Sequence, residues 1–391
     1  MTAAPVVLCL NAGSSSLKFS VYQDDERLLA EGAVEEIGRA GARAWIKRGA
    51  GASQAVPGRF ADHGAAVIGV FDQFGRHALP EPAAVGHRLV HGGEAHAAPE
   101  RVTPSLLAAL RQVIPLAPLH MPSGLAGVEA VAARYPTVPQ VVCFDTAFHR
   151  DLPDVARRLP LPSALPSAAR RRFGFHGLSY EYVVSRLGAG AGRLVIAHMG
   201  NGASMAAVRD GRSVDTTMGL TPAGGFMMGT RTGDLDPGVL TYLMREAGYD
   251  ADRLDRLVNR ESGLLGVGGS ADMKTLLERR DRDPQAALAV AMFCYQARKA
   301  IGALAAALGG LDTLVFTGGI GERAAPVRAA ICDGLSHLGV KLDPERNAAH
   351  AETVSPAGSA CTVRVVDTNE ELMIARHCRA VLFPKQPEVT R

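Results

Sequence analysis

Residues 11–18 combine side chains that bind phosphate. They read NAGSSSLK and join two apolar runs of strand-like composition. Gly13 lets the backbone approach a ligand closely, and the serine hydroxyls, those of Ser14 and Ser16 among them, can donate hydrogen bonds. Lys18 adds a positive charge. An ordinary serine-rich hairpin turn is the alternative, and a single copy of the pattern does not decide between the two.

A similar strand, turn and strand occur at residues 194–208. This segment reads LVIAHMGNGASMAAV, and each of the two copies is followed by a polar turn and a third strand-like run. Two such hairpins about half a chain apart predict duplication of one α/β domain. The repetition also favours phosphate binding over an ordinary turn.

A glycine-rich stretch at residues 317–323 reads TGGIGER and follows the apolar run LVF. We expect a turn here that leads into a helix beginning near Ala325, an arrangement that suits an anion or a nucleotide. Residues 319–324 also fit the loose dinucleotide pattern G-x-G-x-x-A, so an oxidoreductase that uses NAD stays open as an alternative. The sequence has no Walker A pattern.

Four basic residues lie in short segments rich in glycine or proline, where each could reach a ligand: Arg88, His120, His176 and Arg231. An arginine between glycines is poorly placed to cover a helix face, whereas its planar guanidinium suits a carboxylate or a phosphate. For any single histidine a structural role is the alternative. The histidine and cysteine spacings do not predict a zinc site.

Acidic candidates follow two strand-like runs. Asp145 comes directly after QVVCF, and an acid at the carboxyl end of a strand often faces a ligand crevice. Glu370 and Glu371 open the last predicted helix. They could hold Mg²⁺ through water, or they could only complement the helix dipole.

The composition excludes several classes of protein. The 391 residues are 47% hydrophobic and 21% charged, with a net charge of +3 and basic residues scattered along the chain. We therefore expect neither a nucleic-acid partner nor a membrane partner. The six cysteines form no C-x-x-C pair. Buried free thiols in a reducing cytoplasm are the simplest interpretation.

The elements that must position these residues alternate between strands and helices. Strand-like runs are predicted at residues 83–89, 140–144 and 313–317. Helices are predicted at residues 104–112, 124–134, 177–186, 238–246, 284–308 and 326–338. Two phosphate-type turns, a nucleotide-type turn, loop arginines and an isolated acid indicate phosphoryl transfer, which depends on positioning and charge neutralisation. The residues alone thus predict a nucleotide-dependent kinase or ATPase with a duplicated α/β fold.

Eight segments in order along the chain resemble the acetate kinase family. They are NAGSSSLK at 11–18, GHRLVHGG at 86–93, FDTAFH at 144–149, GFHG at 174–177, HMGNG at 198–202, MGTRTGDLDP at 228–237, FTGGIGE at 316–322 and TNEE at 368–371. The resemblance implies the duplicated ATPase fold of actin, hexokinase and Hsp70, with two domains flanking an active-site cleft. It places an N-terminal domain at 1–148, completed by 373–391, and a nucleotide-binding domain at 149–372. It also implies Mg²⁺- or Mn²⁺-dependent formation of acetyl phosphate from acetate and ATP, reversibly, by a cytoplasmic homodimer.

The resemblance further implies a role for each matched residue. The catalytic group would comprise Arg88, His120, Asp145, His176 and Arg231. Asn11 and Glu370 would hold the metal. The nucleotide would contact Ser14, Ser16, Lys18, His198, Met199, Gly200, Asn201, Gly202, Asp272, Met273, Lys274, Gly318, Gly319, Ile320, Gly321 and Glu322. An apolar pocket for the acetate methyl group, beside Arg88, would be lined by Val90, Leu119, Phe175 and Pro222.

Several positions depart from the family pattern. Met121 stands where asparagine is usual, Ala223-Gly224-Gly225 replaces Leu-Glu-Gly, Lys274 replaces arginine, and Tyr180 replaces histidine. These changes leave acyl and nucleotide preference open, so a propionate or butyrate kinase is an alternative. A nucleotide-binding protein without turnover is a further alternative, although the proposed catalytic residues are all present.

Overall fold

The computed structural model describes residues 5–13, 15–56 and 58–384. Its β-strands are β1 (Val7–Ala12), β2 (Ser16–Tyr22), β3 (Leu28–Glu35), β4 (Arg43–Arg48), β5 (Gln54–Val56), β6 (Ala84–Leu89), β7 (Glu100–Arg101), β8 (Gln140–Phe144), β9 (Leu194–Met199), β10 (Ala203–Arg209), β11 (Arg212–Thr216), β12 (Thr313–Thr317) and β13 (Thr362–Val365). Its α-helices are α1 (His63–Arg76), α2 (Pro104–Val113), α3 (Met121–Arg134), α4 (Asp154–Arg157), α5 (Gly177–Leu187), α6 (Pro237–Glu246), α7 (Ala251–Arg256), α8 (Gly263–Gly268), α9 (Met273–Arg279), α10 (Pro284–Leu308), α11 (Gly318–Arg323), α12 (Ala325–Cys332), α13 (Pro344–Ala348) and α14 (Glu370–Leu382).

The chain divides into two compact units. The first unit comprises Met1–Ala147 and Asn369–Arg391, and the second comprises Phe148–Thr368. The first unit contains an eight-stranded sheet in the order β5-β4-β3-β2-β1-β6-β8-β7, and the second contains a five-stranded sheet in the order β11-β10-β9-β12-β13. Each unit therefore has a sheet of its own.

The two sheets share one five-stranded arrangement. In the first unit, β1, β2 and β3 pair antiparallel, and β6 and β8 continue the sheet from β1 in parallel. In the second unit, β9, β10 and β11 pair antiparallel, and β12 and β13 continue from β9 in parallel. The same connectivity in both units confirms the predicted duplicated α/β fold.

The central strand of each sheet is buried along its whole length. All six residues of β1 and all six of β9 are buried, as expected for strands covered on both faces. Each strand ends in a tight hairpin: the Gly13 N–H donates to the Ser16 carbonyl, and the Gly200 N–H donates to the Gly202 carbonyl. The hairpins therefore lie at corresponding ends of the repeated sheets.

Local signals set both ends of the longest helix, α10. The Asp283 side chain caps its start by accepting from the N–H groups of Gln285 and Ala286. Pro284 opens the helix, and Gly309 ends it with a left-handed φ of 71°. The prediction of a helix at 284–308 is confirmed residue for residue.

Three predictions differ from the structure. Helix α3 begins at Met121 rather than at residue 124. The helix expected at 326–338 ends at Cys332, because Arg298 of α10 packs over Gly334 and donates to the carbonyls of Ala330 and Ile331. The glycine-rich stretch expected to be a turn is itself the short helix α11. It is separated from α12 at Ala324, whose ψ of 76° leaves the helical region, and Pro326 stands in the first turn of α12.

The cysteines match their predicted state: all six are free and buried. Within residues 5–13, 15–56 and 58–384, no helix is both long and apolar enough to cross a membrane.

Candidate functional site

A buried ion pair lies at the carboxyl ends of two neighbouring strands in the first unit. Arg88 is the last residue but one of β6, and Asp145 directly follows β8. The Arg88 Nε lies 3.0 Å from both Asp145 carboxylate oxygens, and Nη2 lies 2.5 Å from Oδ2. The Asp145 side chain is 1% exposed and that of Arg88 is 14% exposed. Parallel pairing of β6 with β8 brings these two predicted catalytic residues together.

Asn11 links this ion pair to the start of α14. Its Oδ1 accepts from Arg88 Nη1 at 3.1 Å, and its Nδ2 donates to Glu370 Oε2 at 2.9 Å and to Glu371 Oε1 at 3.0 Å. Asn369 caps α14 by accepting from the Leu372 N–H, which fixes the two glutamates at the first turn. We call Asn11, Arg88, Asp145, Glu370 and Glu371 the Arg88 cluster.

The charged groups of the Arg88 cluster shift one another's pKa values. Burial by itself lowers the pKa of a guanidinium, but the charges of Asp145 and Glu370 raise the pKa of Arg88 above its ordinary value, so Arg88 stays protonated. Burial, and then the neighbouring charge of Glu370, raise the pKa of Glu371. The cluster is thus a buried cation surrounded by oxygen atoms.

The oxygen donors of the cluster fit Mg²⁺. This ion prefers carboxylate and amide oxygens, and it usually binds through one or two protein groups, waters and substrate phosphates. Glu370 supplies such a carboxylate at the start of α14, beside the amide of Asn11. In the described part of the chain, no group of three or more His, Cys, Asp or Glu side chains could hold a metal ion by itself. The site therefore suits an ion that arrives with its phosphate ligands.

The first hairpin places the remaining predicted phosphate contacts. Lys18 pairs with Asn11 across β1 and β2 and is exposed. A Cβ built on Gly13 would lie 2.8 Å from the Ser16 Oγ, so the serine hydroxyl packs closely over Gly13. Ser14 lies outside the described residues.

His120 directly precedes α3. Its carbonyl accepts from the Ser123 hydroxyl at 3.0 Å, which orders the start of the helix. Met121, where the family usually has asparagine, is fully buried and faces the core. Of the four predicted pocket residues, Val90 and Leu119 lie in the first unit and Phe175 and Pro222 in the second.

Arg231 and His176 converge on Gly202 in the second unit. A Cβ built on Gly202 would lie 3.3 Å from Arg231 Nη1 and 3.4 Å from His176 Nε2. Arg231 Nη1 also donates to the Pro222 carbonyl at 3.2 Å. Asn201 joins this arrangement, because its carbonyl accepts from the Gly229 N–H in the loop that carries Arg231. The second hairpin thus lies beside two cationic or polar side chains.

His176 has an unusual backbone and a histidine neighbour. Its φ is +58°, a left-handed conformation that is strained in a non-glycine residue. Its ring stacks on that of His198, with centroids 4.4 Å apart. Each Nδ1 meets a hydroxyl: His176 lies 2.8 Å from Ser204 Oγ, and His198 lies 2.9 Å from Ser179 Oγ. Sequence reasoning did not identify Ser179 or Ser204 as contributors to the site.

A cavity of about 570 Å³ lies next to the second hairpin. Seven of the predicted nucleotide contacts line it: Gly200, Asn201, Asp272, Met273, Lys274, Gly319 and Ile320. Leu277, Ala324 and Pro326 add apolar surface. The other predicted contacts of the second unit, His198, Met199, Gly202, Gly318, Gly321 and Glu322, are not among its lining residues.

Two predicted acidic contacts use their carboxylates within the fold. Glu322 Oε1 accepts from the Gly318 N–H at 2.9 Å and from the Thr368 N–H at 3.1 Å, and burial raises its pKa. Asp272 caps α9, and the Thr275 hydroxyl, at 2.7 Å, is the main reason its pKa is lowered. The dinucleotide pattern at 319–324 lies almost wholly inside α11 rather than in a turn before a helix, which argues against the oxidoreductase alternative.

Comparison with known proteins agrees with these features. The Acetokinase family model matches residues 6–376. An acetate kinase of Rhodopseudomonas palustris is 45% identical over 391 aligned positions, which cover 95% of this chain and 97% of that protein. Among solved structures, an acetate kinase of Porphyromonas gingivalis is 38% identical with a TM-score of 0.87, covering 97% of this chain and 100% of that one. A propionate kinase of Francisella tularensis is 33% identical with a TM-score of 0.91, with the same coverage. The chain therefore belongs to the acetokinase family.

Proposed function

We propose that the protein transfers the γ-phosphoryl group of ATP to acetate, reversibly and by direct in-line attack, giving acetyl phosphate and ADP. The convergence of Arg231 Nη1 and His176 Nε2 beside Gly202 carries this proposal. Donors fixed in this way stabilise charge on the equatorial oxygens of a phosphoryl group in transfer. The relatives named acetate kinase support the same reaction.

ATP would bind in the second unit. The cavity beside the second hairpin has apolar walls that include Met273 and Ile320, which suit a base, and it opens on Gly200 and Asn201, which suit phosphates. Lys274, in place of the usual arginine, offers a point charge rather than a planar fork, so its contact with the nucleotide is less directional.

Acetate would bind through Arg88 in the first unit. A guanidinium already held by Asp145 is ordered before the ligand arrives, so little side-chain entropy is lost on binding. Its permanent charge then attracts the carboxylate that attacks the phosphorus. His120, at the start of α3, would supply a further donor to the transferring group.

Asn11 and Glu370 would hold Mg²⁺, or Mn²⁺ in its place. When bound, the ion neutralises phosphate charge. The chain's own contribution is to fix both residues: β1 carries Asn11, and the capped start of α14 carries Glu370. Ser14, Ser16 and Lys18 of the first hairpin would contact phosphate oxygens.

The acid that is preferred would be acetate, held by Val90, Leu119, Phe175 and Pro222 around its methyl group. Propionate is the second candidate, because the solved propionate kinase has a TM-score of 0.91 to this chain. One methylene changes binding by only about 1–3 kcal/mol. Rates with formate, acetate, propionate and butyrate at equal concentration rank these acids directly.

We also propose domains at 1–148 with 373–391 and at 149–372, and a cytoplasmic homodimer. The two compact units support a chain of two domains but divide it at 147/148 and 368/369, so that residues 369–372 belong to the first unit. Helix α6 exposes Val239, Tyr242 and Met244 at 41%, 63% and 51%, apolar surface that a second copy could cover. Six buried free thiols suit a reducing compartment. Light scattering of the purified chain measures the oligomeric state.

Trapping the product tests the proposed reaction. The protein is incubated with Mg·ATP, acetate and hydroxylamine, which converts an acyl phosphate into a coloured hydroxamate. Product that requires both acetate and ATP supports the proposal. ATP binding without product from any short acid would contradict it and would favour a nucleotide-binding protein without turnover.

A further inference from the structure

A chain of two hydroxyl groups leads from the interior of the second unit to His176. Tyr180, in the first turn of α5, is fully buried, and its hydroxyl lies 2.5 Å from Ser204 Oγ. Ser204, on β10, is also fully buried and lies 2.8 Å from His176 Nδ1. We call Tyr180, Ser204 and His176 the hydroxyl relay.

The chemistry of the three groups gives the relay a direction. Either hydroxyl could donate across the Tyr180–Ser204 contact, and because a phenol is the stronger acid we assign the donor role to Tyr180. The single O–H of Ser204 then donates to His176 Nδ1. A neutral imidazole that accepts at Nδ1 carries its proton at Nε2. This is the nitrogen that lies 3.4 Å from a Cβ built on Gly202, beside Arg231.

Two further observations concern how the His176 ring is held in place, one from its own backbone and one from the packing of Tyr180. The backbone of His176 is left-handed at φ +58°, so neighbouring groups must offset the strain. The ring of Tyr180 is itself fixed, because it packs against Phe148 and His149 with centroids 5.7 and 5.6 Å away. A rigid phenol therefore determines where the Ser204 hydroxyl points.

Ser179, the residue before Tyr180, orders the ring of His198. Ser179 Oγ lies 2.9 Å from His198 Nδ1 and 2.9 Å from the Thr368 hydroxyl. Consecutive residues of α5 thus each order one ring of the His176–His198 stack.

We propose that Tyr180 is a positioning residue for phosphoryl transfer: through Ser204 it fixes the Nε2–H tautomer and the orientation of His176. The role in turnover rests on the proposed function, whereas the tautomer can be measured without turnover.

Nitrogen NMR of the ¹⁵N-histidine-labelled protein tests the first part. A His176→Gln variant assigns the His176 signals. We expect Nε2–H with an unprotonated Nδ1 in the wild type, and a mixture of tautomers in Tyr180→Phe, which keeps the ring packing. Tyr182→Phe removes a phenol hydroxyl from the same helix outside the relay and is expected to leave the spectrum unchanged. The same single tautomer in Tyr180→Phe as in the wild type would overturn the proposal.

Steady-state kinetics test whether Tyr180 contributes to phosphoryl transfer. We expect Tyr180→Phe to lower kcat about tenfold, the loss of one buried hydrogen bond, with the KM values for acetate and ATP within about twofold of wild type. Ser204→Ala should show the same loss, and Ser204→Thr, which keeps a hydroxyl, should recover most of the rate. Wild-type kcat in Tyr180→Phe, or equal losses in Ser204→Ala and Ser204→Thr, would contradict the proposal. A wild-type protein that shows the locked tautomer but forms no hydroxamate would instead refute the proposed reaction and leave the relay standing.

Discussion

Replacing Asp145 by asparagine should strongly destabilise the first unit. Its carboxylate receives three contacts of 2.5–3.0 Å from Arg88 and is 1% exposed, so solvent cannot take its place. The amide of asparagine would leave a buried guanidinium without its nearest counter-charge, since Glu370 Oε2 lies 4.0 Å from the Arg88 Nε. Breaking a buried pair of this kind costs about 3–5 kcal/mol. With a urea slope of about 2 kcal/mol per molar, the unfolding midpoint should fall by about 1.5–2.5 M.

The chain supplies both a probe and a matched control for this measurement. Trp45, the one tryptophan of the sequence, lies in β4, so its fluorescence reports on the unit that contains Asp145. Glu129 pairs with Arg111 at 2.6 Å in the same unit, but both side chains are about half exposed. Glu129→Gln should cost less than about 1 kcal/mol and shift the midpoint by less than about 0.5 M.

A double replacement separates charge burial from loss of the interaction itself. Arg88→Met/Asp145→Leu removes both charges, and apolar side chains of similar size replace a buried ion pair at little cost. Because the double variant also removes the cation beside Glu370, 4.0 Å from the Arg88 Nε, we expect it to recover part of the stability lost in Asp145→Asn, while its hydroxamate formation stays abolished. If Asp145→Asn shifts the midpoint no further than Glu129→Gln, the Arg88–Asp145 pair is not the buried interaction described above and the reasoning fails.

Arg231→Ala should lower kcat about a thousandfold because it removes charge directed at the transition state. Unchanged circular dichroism would show that the fold of the variant persists. Near-normal kcat in a folded variant would exclude this role for Arg231. Gly202→Ala places a methyl group 3.3 Å from Arg231 and 3.4 Å from His176, so we expect kcat to fall about tenfold, and calorimetry of ATP binding reports separately on the predicted nucleotide contact of Gly202. Burial lowers the pKa of His87 from 6.5 to about 4, so the unfolded chain binds a proton that the folded chain does not, and stability is lost as the pH falls from 6.5 towards 4. Trp45 fluorescence in urea should show about 1.6 kcal/mol less stability at pH 5 than at pH 6.5 from this group. That slope should diminish in His87→Gln, and an identical slope in the variant would refute the assignment.

Much of the fold could be predicted from the sequence because its signals are local. The two phosphate-type hairpins predicted a duplicated domain, and the repeated strand order confirms it. The ends of α10 are set by Asp283 and Pro284 at its start and by Gly309 at its end, and each of them acts on the adjacent turn of the helix. The motifs likewise indicated the family, since each is a short continuous segment whose residue types follow from its chemistry.

Only the tertiary structure decided how side chains distant in sequence use their polar atoms. Arg298 ends α12 from another helix, a contact that no pattern within residues 326–338 encodes. The carboxylate of Glu322 is engaged by the Gly318 and Thr368 N–H groups, although its place in a glycine-rich motif suggested a ligand contact. Hydrogen bonding of this kind depends on distances across the fold, and composition or periodicity does not record them.

The hydroxyl relay shows most clearly the difference between what the sequence determines and what the tertiary structure determines. The sequence by itself determined that His176 opens a helix, that a serine lies just after the turn of the second hairpin and that a tyrosine stands at position 180. The three residues come from a turn, a helix and a strand, and Ser204 is 28 positions from His176 and 24 from Tyr180. Only packing of α5 against the second sheet brings their polar atoms within hydrogen-bond distance, because the burial that excludes water also requires each hydroxyl to find a partner.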